Sequence, residues 1–280
     1  MTNYATVGNV EIRAVSDVVP PPMAPIELFP DVPANAWEVY RAQHLTPEGN
    51  LPMHMGHFLL RSEGRIILVD TGLGPGPHQN FGGGTGKLLE QMEDVGVPRE
   101  AVDVVIITHL HPDHIGWNIT TEGGRTRPTF PKAQYLIPRI DWEHFTHPAV
   151  LPDHPVVQAC AVPLQGLGVM ELVGDGHAVT AEITVLHAPG HTPGHLCVLI
   201  NSHGQQGIVV GDLVHSSVQF TEADWCSRAD MDKSAARRSR HALLDRLEQE
   251  GFVVAAGHLA ANANIGRVVR LQGCRQWRGL

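Results

Sequence analysis

The chain has 280 residues, of which 42% are hydrophobic and 18% charged, and its formal net charge is −9. This composition excludes a chain that is disordered throughout, and the acidic balance disfavours nucleic acid as a partner. No apolar run approaches the roughly 18 residues of a membrane-spanning helix, so we expect no membrane partner. Residues 1–10 contain no basic segment followed by an apolar one, so we expect no signal peptide. Because the four cysteines form no CxxC pair, we expect a cytoplasmic chain with reduced thiols.

The N-terminal half predicts strands and helices separated by loops rich in Gly and Pro. Six prolines in residues 20–33 exclude a regular element there. We predict a strand at residues 10–19, a short helix at 34–44, strands at 57–61 and 65–70, and a helix at 85–95.

The C-terminal half predicts further strands and one clear helix at residues 234–249. Asp232 or Ser234 can cap this helix and Gly251 ends it, while Arg237, Arg238 and Arg240 are expected on its solvated face. The predicted strands are residues 102–108, 134–137, 183–186, 197–200, 208–210 and 252–256. We therefore predict one domain over residues 1–280, with a Pro-rich arm at about residues 20–53.

The chain contains 18 histidines, and the densest group of possible ligands lies at residues 109–114. His109 and His111 point to the same side of an extended backbone that directly follows a buried strand. Pro112 then forces a turn, which can aim Asp113 and His114 at a second point. Four possible ligands on a loop held by a rigid strand predict a metal site.

Three later strands end in residues of the same kind. His191, Asp212 and His258 each follow a predicted strand and lie close to a glycine, which allows close approach of the backbone. Because the carboxyl ends of parallel strands meet at one edge, we expect these loops to surround one site.

Together with Asp70 in the segment Leu68-Val69-Asp70-Thr71-Gly72, these motifs resemble the metallo-β-lactamase superfamily. The resemblance spans residues 68–258 and implies an α+β fold, an αββα sandwich of four layers in which two mixed β-sheets are flanked by helices. It also implies two metal sites. The ligands that it implies are His109, His111 and His191 for the first metal, Asp113, His114 and His258 for the second, and Asp212 as the bridge.

The resemblance implies a catalytic role for Asp113, Asp212 and Asp70, with Asp70 orienting a ligand through its hydrogen bonds. Imidazole with carboxylate suits zinc, although manganese, iron or cobalt remains open, and no other cofactor is expected. Two divalent ions leave the cluster positively charged, so a bridging hydroxide can attack a carbonyl or phosphoryl group. The second metal or Asp113 would then assist departure of the leaving group.

Two closer groups share further motifs with this chain. The methyl parathion hydrolase-like group resembles it at residues 111–114, 131–135, 211–215 and 265–267. The N-acyl homoserine lactonases share residues 190–195 but have a Tyr at the position of His215. The expected function is cleavage of a small ester, lactone or phosphotriester, with a lactonase of the acyl homoserine lactone type as the alternative. Candidates for supporting the centre or contacting substrate are His195, His215, Trp117 and Phe220.

Two other activities occur on the same scaffold, a glutathione-linked thioesterase and a persulfide dioxygenase with one iron. Both usually place basic residues for the carboxylates of glutathione, and the C-terminal segment shows no clear basic cluster. The resemblance also favours a homodimer. The arm at residues 20–53 would either contribute to that interface or cover its own site.

Overall fold

The computed structural model describes residues 3–280, in which fifteen strands build two large sheets and one hairpin. The strands are β1 (Tyr4–Val7), β2 (Val10–Ser16), β3 (Gly56–Ser62), β4 (Arg65–Val69), β5 (Val104–Ile106), β6 (Ile119–Glu122), β7 (Arg125–Pro128), β8 (Gln134–Pro138), β9 (Met170–Val173), β10 (Ile183–His187), β11 (Leu196–Ser202), β12 (Gln205–Val209), β13 (Val253–Ala255), β14 (Ile265–Leu271) and β15 (Cys274–Gly279).

Both large sheets are mixed. The first has the order β1-β2-β3-β4-β5-β8-β9, antiparallel from β1 to β4 and parallel from β4 to β9. The second has the order β10-β11-β12-β13-β14-β15, in which only β12 and β13 are parallel neighbours. Strands β6 and β7 form a separate hairpin.

The described part of the chain contains eight α-helices. They are α1 (Pro25–Leu28), α2 (Arg41–His44), α3 (Leu88–Asp94), α4 (Pro112–Ile115), α5 (Arg139–Phe145), α6 (Pro155–Cys160), α7 (Val162–Gly166) and α8 (Lys233–Glu250). Ile12, Phe58 and Ile106 from the first sheet pack with Val198 and Val253 from the second, so the sheets share one core. Separate cores lie between the first sheet and α3, α5, α6 and α7, and between the second sheet and α8. The predicted αββα sandwich is confirmed.

Helix α8 forms where its sequence predicts it. The Asp232 carboxylate accepts hydrogen bonds from the backbone N–H groups of Ser234 and Ala235, and Gly251 ends the helix with a left-handed φ of 68°. Its solvated face is smaller than expected, however, because the Arg240 side chain is 1% exposed. No helix in the described part of the chain is long and apolar enough to cross a membrane.

The arm is more regular than the prolines predict. Helix α1 forms one turn within the stretch expected to be irregular, because Pro25 occupies its first turn, where an N–H is not needed. A 3₁₀ helix at Ala34–Tyr40 then leads into α2. Trp37 packs 4.7 Å from the Trp225 ring of the same chain, between ring centroids. The arm therefore covers its own chain, while the single domain and the homodimer stay predictions.

Six strands escape the sequence patterns, namely β1, β6, β7, β9, β14 and β15. Most are edge strands or short polar ones, where alternation of apolar residues is weak. The strands that lead into the site have the expected relative direction. Strands β4 and β5 are parallel neighbours, as are β12 and β13, so their carboxyl ends open toward shared edges of the sheets.

Candidate metal centre

Three imidazoles from two loops converge at the carboxyl ends of β5 and β10. His191 Nε2 lies 2.8 Å from His111 Nδ1 and 3.2 Å from His109 Nε2, and the last two atoms are 3.1 Å apart. Nitrogen ligands about 2.0–2.1 Å from a tetrahedral zinc would lie roughly 3.3 Å from one another. The three nitrogens thus have the spacing of atoms that share one cation.

A second cluster lies beside the first and contains Asp113, His114 and His258. Asp113 Oδ2 is 3.6 Å from His114 Nε2 and 3.7 Å from His258 Nε2. Helix α4 produces this arrangement because Pro112 begins it, so the chain turns immediately after His111 and presents the next two side chains to a different point. The turn predicted from Pro112 is therefore a helical one.

Asp212 lies between the two clusters. Its Oδ2 atom is 3.2 Å from His191 Nε2 and 3.0 Å from His258 Nε2, whereas its Oδ1 atom is 3.2 Å from His114 Nε2. One carboxylate therefore faces ligand candidates of both sites, which is the geometry required of a bridge. All seven side chains implied by the resemblance are brought together.

Four of the five imidazoles have their Nδ1 atom held by a hydrogen bond outside the centre. His109 Nδ1 pairs with Thr108 Oγ1 at 3.0 Å and His114 Nδ1 with Asp70 Oδ2 at 2.8 Å. The Nδ1 atoms of His191 and His258 pair with Asp230 Oδ1 and the His54 carbonyl oxygen, at 3.1 and 2.9 Å. With the N–H donating outward, the Nε2 lone pair of each ring is directed into the centre, as metal binding requires.

The residues present fit a pair of divalent cations. Within the described chain, His114 Nε2 is buried with no hydrogen-bond partner, although acceptor and donor atoms surround it. Neutral imidazole nitrogens aimed at one another at about 3 Å repel unless a cation lies between them. Two cations shared through Asp212 would satisfy the orphaned nitrogen and both clusters, and a centre of two metal ions is supported.

The charges of the isolated cluster shift its pKa values strongly. Burial lowers the pKa of His111 to about 3, with His191 adding to the effect. Burial also opposes protonation of His258, but the carboxylates of Asp212 and Asp113 outweigh it and raise that pKa to about 9. The pKa of Asp212 is held well below its usual value because the surrounding imidazoles outweigh its burial. His111 is therefore neutral at neutral pH, as a metal ligand must be, whereas the carboxylates of Asp212 and Asp113 favour a positive charge at His258.

Asp70 supports the centre without touching the space between the clusters. Its Oδ1 atom accepts from Thr108 N at 2.7 Å, and its Oδ2 atom accepts from Thr108 Oγ1 at 2.8 Å as well as from His114 Nδ1. Since Thr108 Oγ1 also accepts from His109 Nδ1, one carboxylate orients an imidazole in each cluster. These hydrogen bonds have the geometry that the orienting role expected of Asp70 requires.

His195 holds the backbone of the bridging residue. Its Nδ1 atom donates to the Ala188 carbonyl oxygen at 3.1 Å, and its Nε2 atom accepts from the Asp212 N–H at 2.9 Å. A Cβ atom on Gly211 would lie 2.6 Å from that same Nε2 atom, so glycine is required for the approach. His195 thus positions Asp212 and does not itself enter either cluster.

The other three candidates differ in their distance from the centre. His215 Nε2 is 3.4 Å from Asp212 Oδ2, and its ring stacks on that of His258 with centroids 5.3 Å apart. Trp117 instead donates its indole N–H to Asp17 Oδ1 at 3.0 Å and packs against the core of the first sheet. Phe220 is fully buried behind the Trp277 ring. The structure therefore brings His215 to the centre and leaves Trp117 and Phe220 outside it.

Two buried aspartates that the motifs do not reveal connect the loops of the site. Asp141 on α5 accepts from Leu110 N in one loop and from Thr192 Oγ1 and Gly194 N in the other. Asp230 joins His191 to Arg240, whose Nη2 atom lies 3.2 Å from Asp230 Oδ2. Neither aspartate belongs to one of the ligand motifs, so no sequence signal separates them from surface residues.

A cavity of about 580 Å³ opens next to the centre, with His258 in its wall. The arm, the loop after Asp212 and the C-terminal strands contribute its remaining walls. None of the described residues that line it is Asp, Glu, Lys or Arg. This volume lies within the range of about 300–1,000 Å³ that small-molecule sites have.

Comparison with known proteins agrees with this geometry. The chain is 28% identical over 229 residues to a protein of Bacillus sp. named N-acyl homoserine lactonase, which covers 76% of this chain and 84% of that one. Among solved structures, the hydrolase AbOPH of the β-lactamase superfamily superposes with a TM-score of 0.83 at 24% identity, over 100% of this chain and 98% of the other. The dizinc quorum-quenching lactonase AidC superposes with a TM-score of 0.81 at 21% identity, over 99% and 96%.

The family assignment rests on a match to more than half of the chain. A model of the metallo-beta-lactamase superfamily matches residues 58–258, the range from β3 to His258 that contains every ligand candidate. The chain belongs to the metallo-β-lactamase superfamily and is a hydrolase with that fold.

Proposed function

We propose that this protein is a hydrolase with two metal ions, zinc by preference, that cleaves a small ester, lactone or phosphotriester. The observation that carries the proposal is the position of the Asp212 carboxylate, whose Oδ2 atom lies close to His191 of one donor set and to His258 of the other, while its Oδ1 atom lies close to His114. When bound, two divalent cations supply an activated water near neutral pH and polarise the carbonyl or phosphoryl oxygen that is attacked.

The side chains around the cations have distinct roles in this proposal. His109, His111 and His191 hold one cation, His114 and His258 with Asp113 hold the other, and Asp212 joins the two sites. Burial raises the pKa of Asp113, but His114 and His258 outweigh it, so the carboxylate is ionised at neutral pH. Its side chain is also 19% exposed, against 5% for Asp212. Asp113 can therefore accept a proton from the attacking water and pass it to the leaving group.

A lactonase acting on acyl homoserine lactones is the second candidate. The observation that favours it is the 28% identity to a curated N-acyl homoserine lactonase over most of both chains. His215 stands where that group has a Tyr, and its ring lies against Asp212 and His258. An imidazole can donate one hydrogen bond to a substrate carbonyl, as a phenol can, although its shape and reach differ.

The glutathione-linked alternatives have less support. A thioesterase or persulfide dioxygenase of that kind needs cations for the two carboxylates of glutathione. The described wall of the cavity beside His258 contains no Lys or Arg. A neutral substrate suits such a wall better.

Metal content and hydrolysis test the proposal together. We expect about two zinc, manganese or cobalt ions per chain by elemental analysis, and hydrolysis within a panel of lactones, aryl esters and phosphotriesters. Asp212→Ala should reduce the rate at least 100-fold, since it removes the group that joins the two sites. Asp224→Ala, a change at an aspartate whose side chain is 73% exposed, serves as the control.

Two results would contradict the proposal. Undiminished hydrolysis by Asp212→Ala with metal bound would exclude the bridging role. One iron per chain, with oxygen uptake in the presence of glutathione persulfide, would instead establish the dioxygenase.

A further inference from the structure

The loop that carries His258 follows β13 of the second sheet and meets the start of β3 in the first sheet. The Gly56 N–H donates to the Gly257 carbonyl oxygen at 3.1 Å. A Cβ atom on Gly257 would collide with the Gly56 carbonyl oxygen, so the two backbones approach as closely as only glycine allows. The position of His258 therefore depends on what fixes this contact between the sheets.

The buried side chain of His54, two residues before β3 begins, fixes this contact. Its Nδ1 atom lies 3.0 Å from the Gly257 carbonyl oxygen, and its Nε2 atom lies 2.9 Å from Ser16 Oγ. Because the carbonyl oxygen can only accept, Nδ1 carries the proton, and Nε2 of the neutral ring accepts from the Ser16 hydroxyl. One imidazole thus connects the end of β2 in the first sheet to the loop after β13 in the second.

The backbone of His54 holds His258 as well. The His258 Nδ1–H donates to the His54 carbonyl oxygen at 2.9 Å. The Nε2 atom of the same ring lies 3.0 Å from Asp212 Oδ2 and 3.7 Å from Asp113 Oδ2. His54 therefore acts on this ligand candidate twice, through the backbone of Gly257 and through the imidazole of His258 itself.

The first cluster, which contains His191, is connected elsewhere. Asp141 accepts from Leu110 N and from Gly194 N, so it joins the loop after β5 to the loop after β10. The hydrogen bonds described for His54 reach neither of these loops. Asp141 and His54 are thus separate connections between the sheets, one for each cluster of the metal centre.

We propose that His54 is a positioning residue for the cation of the second cluster, because its imidazole joins the two sheets where His258 is held. This inference rests on the pair of cations in the proposed function and adds a residue that belongs to neither cluster. It makes the affinity of one cation depend on a side chain that does not contact it, while the other cation is unaffected.

The first experiment titrates the metal-free protein with Cd²⁺ and follows both clusters by cadmium NMR, with a competing chelator to give each dissociation constant. His258→Gln identifies the resonance of the second cluster. His54→Leu should weaken cadmium binding there by about fivefold or more, the effect of one lost hydrogen bond, and leave the first cluster unchanged. Equal weakening at both clusters, or none at the second, would overturn the inference.

A conservative variant tests whether the hydrogen bond to Gly257 carries the effect. The amide nitrogen of His54→Asn occupies about the position of Nδ1, so it can still donate to the Gly257 carbonyl oxygen. This variant should restore most of the cadmium affinity that His54→Leu loses at the second cluster. The same loss in both variants would show that the ring acts by its volume alone and would refute the positioning role.

Two serines give a matched pair that keeps the test valid if His54→Leu does not fold. Ser16→Ala removes the hydroxyl that orients the His54 ring, so it should weaken the second cluster selectively. Ser62→Ala is the control, because Ser62 at the far end of β3 joins that strand to the segment before β10 by hydrogen bonds to Thr180 and Glu182. It should leave both cadmium affinities unchanged. Equal affinities in the two serine variants would contradict the inference.

The cadmium affinities need no substrate, so they separate this inference from the hydrolase proposal. If the affinities follow the expected pattern but no ester, lactone or phosphotriester is hydrolysed, the proposed function fails and the role of His54 stands. If hydrolysis occurs while His54→Leu keeps the affinity of the unchanged protein at the second cluster, the role of His54 fails alone. Binding of a single cation by the unchanged protein would overturn both.

Discussion

Asp70 adopts a left-handed backbone conformation with a φ of 62°, which is unfavourable for a residue other than glycine. The conformation aims its carboxylate at both Thr108 and His114. Three hydrogen bonds to one side chain compensate for a backbone cost of about 1–3 kcal/mol. Strain of this kind persists where the surrounding structure requires one orientation, and here that orientation positions imidazoles of both clusters.

The first prediction concerns this residue. Asp70→Asn keeps the shape of the side chain but replaces one acceptor oxygen by a donor, so it cannot accept all three of the hydrogen bonds that Thr108 and His114 donate to the carboxylate. We expect metal affinity to fall by about 10–100-fold, as is typical when a partner of a ligating histidine is lost. Competition with a chromogenic chelator measures the metal affinity of the variant.

Asp94→Asn, on the exposed side of α3, is the control for Asp70→Asn. Equal metal affinities of the two variants would show that His109 and His114 keep their orientation without the Asp70 carboxylate.

At the scale of the element, α8 supports the centre through a residue that lies away from it. Arg240 donates to the carbonyl oxygens of Leu213 and Ala223, and its guanidinium also pairs with Asp230. Asp230 in turn holds His191 Nδ1. Burial opposes ionisation of Asp230, but His191 and the other cations around it outweigh this and hold its pKa below the usual value. The helix thereby fixes the loop that follows Asp212.

The second prediction is that Arg240→Met destabilises the protein by about 3–5 kcal/mol, because it leaves the Asp230 carboxylate buried without its cation. The free energy of unfolding from urea titration of the metal-loaded protein measures this loss. We also expect weaker metal binding, since Asp230 would no longer be held against His191.

Arg238→Met is the matched control on the same helix, because the Arg238 side chain is exposed and bonds only to Ser234 Oγ in the described structure. A second variant, Arg240→Met with Asp230→Asn, should recover part of the lost stability, since no buried charge is then left unpaired. Equal stability of Arg240→Met and Arg238→Met would contradict the role given to the buried ion pair.

At the scale of the whole molecule, the metal centre joins loops of the two sheets. The stability of the fold therefore depends on whether protons or metal ions occupy the centre. The pKa of His258 is about 9 in the folded, metal-free chain and about 6.5 when unfolded, since the nearby carboxylates outweigh its burial. Its stabilising effect is complete below pH 6.5 and is lost as the pH rises through 9. The pKa of His111 is about 3, so this imidazole destabilises the fold as the pH falls below 6.5.

The third prediction is that the metal-free protein is most stable near pH 6–7 and loses up to about 3 kcal/mol from His258 between pH 6.5 and 9.5, at 1.36 kcal/mol for each pKa unit. Calorimetric unfolding at several pH values measures this. With metal bound, the alkaline loss should disappear, because cations replace the protons.

His258→Gln provides the comparison for that pH series, since glutamine does not titrate. The metal-free variant should show a smaller loss between pH 6.5 and 9.5 than the unchanged protein. A metal-free protein whose stability stays constant or increases over this range would rule out the assigned protonation of His258.

The sequence by itself determined the features that depend on neighbouring residues. The apolar strand before His109, the turn at Pro112, and the capped helix after Asp232 all arise from local backbone preferences, so they are readable from the chain. The order of the ligand motifs from Asp70 to His258 then indicated the superfamily and its αββα fold. The ends of β1 to β15 were less predictable, because short edge strands depend on their neighbours in the sheet.

Only the tertiary structure decided how those ligands are held and what surrounds them. Asp230 is 39 residues from the His191 that it orients, and His54 is 204 residues from His258. Arginine is a residue type that usually lies at the surface. Arg240 is nevertheless buried, because Asp230 and three carbonyl oxygens accept hydrogen bonds from its guanidinium. Contacts at such separations follow from the packing of the two sheets and not from local preference, so no pattern in the chain reveals them. The cavity beside His258 has the same origin, since its walls meet only after the arm and the C-terminal strands have packed.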